Sequence, residues 1–169
     1  MASLFGHGLV GWTLAQSGRK YIKHILFWAI FSAILPDFDV ISFRFGIPYE
    51  SIFGHRGFTH SILFAVIWAY IISLFYREYQ WRTFNIVFFA TCSHGVLDAM
   101  TTGGLGVAFF APFLPDRYFF PFRFIQVSPI GVSKFFSHWG WMVIKSELIW
   151  IGIPVLIYQF IRRLFNPTH

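Results

Sequence analysis

The chain has 169 residues, of which 56% are hydrophobic, 22% aromatic and only 12% charged. A soluble domain carries about a quarter of its residues charged, so this surface belongs in lipid, and the length leaves no room for a second core. The net charge of +6 comes from short basic pairs at the ends of apolar segments rather than from one basic face, which fits anionic headgroups and excludes a nucleic-acid binder.

Five apolar segments follow in order. The first, about 3–16, is Gly-rich and carries His7. No basic leader with a small-residue cleavage site precedes it, so the start is expected to be retained. The second, 21–35, stops at Pro36, and the third, 61–76, is the most uniformly apolar. The fourth, 84–100, ends in His94 and Asp98; the fifth, 139–161, closes on Arg162 and Arg163. Between the last two, 101–138 holds Pro112, Pro115, Pro121 and Pro129 among many Phe, which no regular helix tolerates. The expected fold is therefore all-α: a multi-pass transmembrane helix bundle forming one integral-membrane domain over 1–169. The Pro/Phe-rich 101–138 is expected to be an interfacial or re-entrant loop, able to serve as a lid. Several segments fall short of the roughly 20 residues a spanning helix needs, so local thinning or helix ends hidden in the bundle must make up the difference.

Letting segments two to five alternate across the bilayer puts Arg19, Lys20, Lys23, Arg77, Arg82, Arg162 and Arg163 on one side. The other side holds Arg44, Arg56, Arg117, Arg123 and Lys134. The bias makes the first side cytoplasmic. Asp37, Asp39, His55, His60, His94, Asp98 and Glu147 then gather toward the opposite face. His7 joins them if the first segment runs antiparallel to the second. Ionisable groups beside apolar spans are costly and mark function.

Histidines and carboxylates from several segments form the donor set of a divalent metal, zinc first and manganese second, as one or two ions. His94 and Asp98, four apart, share a helix face; the rival reading is a metal-free hydrogen bond at a helix end. Asp37 and Asp39 flank Phe38, and two close carboxylates in low dielectric call for a cation between them; the rival is a solvated turn. His55 and His60 need a turn between them, with Gly54 and Gly57 allowing close backbone approach and Thr59 or Ser61 capping the third segment. Arg56 could hold a phosphate or carboxylate in a bidentate fork, or anchor a headgroup. Glu147 could be a ligand, a general base or an ion-pair partner. His24 reads as structural, His138 as a neighbour of the site, and His169 as a loose terminus. Cys92 reads as small apolar filler, and Trp139, Trp141, Tyr76 and Trp81 as interfacial anchors.

His7 with its Gly-rich run, Pro36-Asp37-x-Asp39, His55-Arg56-Gly57-x-Thr59-His60-Ser61 and His94-x-x-x-Asp98 together resemble the YdjM-type family of membrane-bound, metal-dependent hydrolases. That family is also described as LexA-binding, inner-membrane-associated hydrolases. The resemblance covers about residues 1–100, with Glu147 a looser extension. It implies a multi-pass protein of a prokaryotic cytoplasmic membrane with a hydrolytic metal site.

The expected function is a membrane-embedded metal-dependent hydrolase whose metal-activated water attacks a membrane lipid, lipid-linked or membrane-proximal substrate, a phosphoester first and an amide or acyl ester second. His7, Asp37, Asp39, His55, His60, His94 and Asp98 are the candidate ligands. Glu147 or Asp39 would take the proton, and Arg56 would hold substrate charge. Two rivals use the same cluster: a metal-ion or proton transporter, and a non-catalytic membrane protein clamped by a metal.

Overall fold

In a computed structural model, which describes residues 1–129 and 132–165, the chain is helical. Its helices are α1 (Leu4–Ala15), α2 (Ile25–Ile34), α3 (Ile62–Ser73), α4 (Gln80–Ala99), α5 (Val132–Phe135), α6 (His138–Glu147) and α7 (Ile153–Phe165). Among the described residues there is no strand, only isolated bridges pairing Thr101 with Ile125 and Val107 with Tyr118. His169 lies outside the described residues.

Serine caps start three helices. The Oγ of Ser3, Ser61 and Ser137 accepts from the backbone N–H three residues on, satisfying a donor the helix cannot. The cap of α3 is thus Ser61, while Thr59 turns to Asp39 instead. Small residues let the helices close on one another: a Cβ on Gly11 would lie 2.6 Å from the Ala29 carbonyl oxygen. Ala15, Ala29, Ala33 and Ala90 are buried in the same seam, the packing by which helices associate in lipid. Large apolar side chains point outward instead, Phe75 and Trp81 among them. The Tyr76 hydroxyl accepts from Trp28 Nε1 at 2.9 Å, tying the turn after α3 to α2.

Pro36 does not end the second segment. The chain continues from α2 as a 3-10 helix, Leu35–Phe45, with Pro36 in its first turn, where a missing N–H costs nothing. The combined stretch Ile25–Phe45 and the continuous run His138–Phe165 are each long and apolar enough to cross a bilayer. A rise of about 2 Å per residue in the 3-10 part lengthens the second segment, while α3, Ile62–Ser73, stays shorter than a span. The run His138–Phe165 is broken by a π-helical turn, Leu148–Gly152, directly after Glu147. Over 101–129 the chain is irregular, as four prolines dictate.

Alternation of direction brings the start of α1, the end of α2, the start of α3 and the end of α4 together, and these four helices pack as neighbours. At the other end, Arg162 donates to the Gln16 carbonyl at 2.8 Å, close to Arg19 and Lys20 in sequence.

Candidate metal centre

Each acidic and imidazole group is set by a local device. The 3-10 helix after Pro36 carries Asp37 and Asp39, both buried. The turn 46–57 delivers His55 and Arg56 before Ser61 starts α3. Gly57 is needed here, because a Cβ on it would meet the Ile52 carbonyl oxygen at 2.1 Å. Arg117 tethers this turn from the irregular stretch, donating to the carbonyls of His55 (3.0 Å), Tyr49 (2.8 Å) and Ser51 (3.1 Å). Nothing in the sequence marked Arg117 beyond its charge.

Four ligand atoms converge: Asp37, His60, His94 and Asp98 each offer one, all within 4.8 Å of one another. His60 Nε2 and His94 Nε2 are 3.0 Å apart. Asp37 Oδ1 lies 3.3 Å from His94 Nε2, and Asp98 Oδ2 lies 3.7 Å from His60 Nε2. The tautomers follow from what lies behind the rings. His94 Nδ1 is 2.7 Å from the Ala33 carbonyl oxygen, which only accepts, so Nδ1 donates and Nε2 is bare. His60 Nδ1 faces Asp39 Oδ2 at 3.2 Å and likewise donates. Neither Asp37 oxygen has a hydrogen-bond partner, and neither does Asp98 Oδ2. These carboxylate lone pairs, buried without a hydrogen-bond donor, call for positive charge beside that of Arg56.

Without a metal, a proton between the His60 and His94 rings is the alternative source of that charge. Burial alone would lower the His60 pKa, but hydrogen bonding to Asp39 and Asp98 raises it to about 9. The donor set of two imidazoles and two carboxylates fits zinc and its neighbours.

A second group, Asp39, His55 and His60, also has ligand atoms within reach of one another. Around the centre, Asp98 has several close neighbours. Its Oδ1 accepts from the Ala2 N–H at 2.7 Å and lies 3.4 Å from His7 Nε2. Its Oδ2 is 3.0 Å from Arg56 Nε, off the line of a hydrogen bond. His7 is fully buried, stacks on His94 with ring centroids 3.8 Å apart, and has no partner at either nitrogen.

The remaining expectations need revision. Arg56 is no headgroup anchor. It is fully buried, and its guanidinium also donates to the Gly103 carbonyl (2.9 Å) and Thr101 Oγ1 (3.1 Å). One side of it lines a cavity of about 180 Å³ with Tyr49, His55 and Gly104. Glu147 is not among the converging ligands. Its Oε1 accepts from Ser3 N and its Oε2 from Ser3 Oγ, both at 2.5 Å, so it clamps the start of α1. Lys145 instead lies over the Trp141 ring, 5.3 Å from its centroid. His24 and His138 are exposed at helix starts, and neither is among the converging groups.

Comparison with known proteins agrees with this picture of a membrane chain. Residues 1–167 match the family described as YdjM inner membrane protein. Over 145 residues the chain is 39% identical to the inner membrane protein YbcI of Escherichia coli K12, covering 83% of this chain and 84% of that one. It is 32% identical over 84 residues to a Bacillus subtilis protein named uncharacterized protein YvsG, covering 46% of this chain and 51% of that one. No solved structure matches.

Proposed function

This chain belongs to the YdjM family of inner membrane proteins, and from that premise we propose that its buried His/Asp basin is a metal-dependent hydrolytic centre acting on a lipid-linked or membrane-proximal phosphoester. The observation that carries the reading is the convergence of Asp37, His60, His94 and Asp98 on one point, with both Asp37 oxygens and Asp98 Oδ2 lacking a hydrogen-bond partner. A divalent ion, zinc by its donor set, would supply Lewis acidity and acidify water at neutral pH.

The protein's own groups divide the remaining work. His7 is the free base: a buried imidazole with both nitrogens unpartnered, its Nε2 3.4 Å from Asp98 Oδ1. It therefore takes the proton role expected of Glu147, whose two oxygens are held by Ser3. Arg56 balances Asp98 and presents positive charge to the adjoining cavity of about 180 Å³, a volume suited to a small anionic headgroup. That charge favours a phosphoester over a neutral amide or acyl ester.

A second reading has one observation in its favour. Four protein ligands would close a tetrahedral shell, the pattern of a metal that clamps helices without catalysis. Both readings are tested on detergent-purified protein, by metal content and by phosphate release from a panel of lipid phosphoesters. Stoichiometric metal with phosphate release lost in His7→Gln supports the hydrolase. Stoichiometric metal with no turnover on any phosphoester, and a large stability loss on chelation, would favour the clamp. Metal flux into vesicles would instead point to a transporter.

A further inference from the structure

We propose that the centre holds a single ion, and that Asp39 serves not as a ligand to a second ion but as the positioning carboxylate that fixes His60. The inference rests on the metal-binding reading above and decides between its one-ion and two-ion forms.

Asp39 is surrounded by donors. Its Oδ1 faces His55 Nδ1 at 2.6 Å. Its Oδ2 accepts from Thr59 Oγ1 (2.7 Å) and the Arg56 N–H (3.1 Å), and faces His60 Nδ1 at 3.2 Å. A carboxylate oxygen offers about two acceptor sites; three donors crowd Oδ2, and His55 takes one site of Oδ1. Since the Thr59 hydroxyl proton goes to Asp39, Thr59 Oγ1 is itself an acceptor toward His60 Nδ1, 3.1 Å away. Two acceptors therefore hold the proton on His60 Nδ1 and leave Nε2 for the metal. An ion held by Asp39 Oδ2 would displace the Arg56 N–H in a buried turn, and one held by Oδ1 and His55 would displace the short His55 hydrogen bond.

Asp37 is the opposite case, buried with no donor at either oxygen. Two residues apart on a helix of three per turn, the two carboxylates point about 120° away from each other. One aims at the gathered lone pairs, the other at the turn 46–57. Arg56 ties the two environments: at φ +62, a region non-glycine residues rarely occupy, its N–H reaches Asp39 while its side chain reaches Asp98.

The test counts bound metal in detergent-purified protein reconstituted with Zn(II) or Co(II), with affinity read by chelator competition. Wild type and His55→Ala should each bind one equivalent. Asp39→Asn should also bind one at saturation, with affinity lowered about 10- to 100-fold and the Co(II) visible absorption shifted as His60 loses its orientation. Asp37→Asn should lose the ion. Two equivalents in wild type, falling to one in His55→Ala, would overturn the inference while leaving the metal centre standing. No metal in wild type would overturn both. If Asp39→Asn fails to fold, the counts in wild type and His55→Ala still decide.

Discussion

His60 Nε2 and His94 Nε2 face each other at 3.0 Å, and each ring has its Nδ1 turned to an acceptor, Asp39 for one and the Ala33 carbonyl for the other. With both Nδ1 atoms donating, two neutral rings would present lone pair to lone pair. The pair is stable only with a cation or a shared proton between the rings, and the testable consequences follow from that competition.

Metal affinity should rise with pH. In metal-free protein His60, with its pKa raised to about 9, carries the extra proton at neutral pH, and an incoming ion must displace it. Affinity should climb by about tenfold per pH unit toward pH 9, one proton being released per ion bound. Isothermal titration in buffers of different ionisation enthalpy measures that proton; a flat profile between pH 6 and 8 would sink the idea. The same shift gives the stability of the metal-free protein a sign. The contribution of charged His60 is fully present below about pH 6.5 and is lost as the pH rises through about 9.

Asp37→Asn should separate stability from binding. The buried carboxylate has no donor, and a neutral amide in its place removes an uncompensated buried charge. Metal-free Asp37→Asn should therefore be more stable than metal-free wild type by about 1–3 kcal/mol, while gaining nothing from added zinc. Thermal unfolding in detergent, with and without chelator, reads both signs in one experiment.

Arg56→Lys should be costly despite keeping the charge. The guanidinium serves Asp98, Gly103 and Thr101 together, which a single ammonium cannot span. A loss of about 3 kcal/mol is expected for weakening a buried pair, together with weaker metal binding through a displaced Asp98. Chemical denaturation checks the first and metal competition the second.

Arg117→Met should loosen the turn that carries His55 and Arg56. Three carbonyls lose their donor, so hydrogen exchange over 49–57 should quicken, with stability lower by about 1–3 kcal/mol. The helices should keep their protection, which distinguishes this variant from a general unfolding.

His7→Gln should leave bound metal near one equivalent and lower turnover by about 10²- to 10⁴-fold. The same substitution at Glu147 should mainly loosen the start of α1, because its partner is Ser3. A large kcat loss in Glu147→Gln with α1 unchanged would return the proton role to Glu147.

Much of the fold was legible because apolar runs, basic turns and Ser caps act locally. The lengths of the segments and the four prolines of 101–129 foretold helices joined by an irregular stretch. Pro36 misled because a proline stops a helix only from its interior, and here it begins a new 3-10 turn. The irregular stretch carries Arg117, a basic residue whose work in tethering the turn 46–57 is set by tertiary contacts alone.

The sequence by itself determined that acids and imidazoles would gather at one end of a set of alternating helices, since alternation and helix rise fix which ends meet. It could not separate Asp37 from Asp39, or Glu147 from His7, because those roles depend on which donors lie within about 3 Å of each oxygen and nitrogen. Tertiary structure alone surrounded Asp39 with donors, left Asp37 bare and gave both Glu147 oxygens to Ser3. A residue type offers lone pairs, and only the neighbours that packing brings decide whether those lone pairs are free.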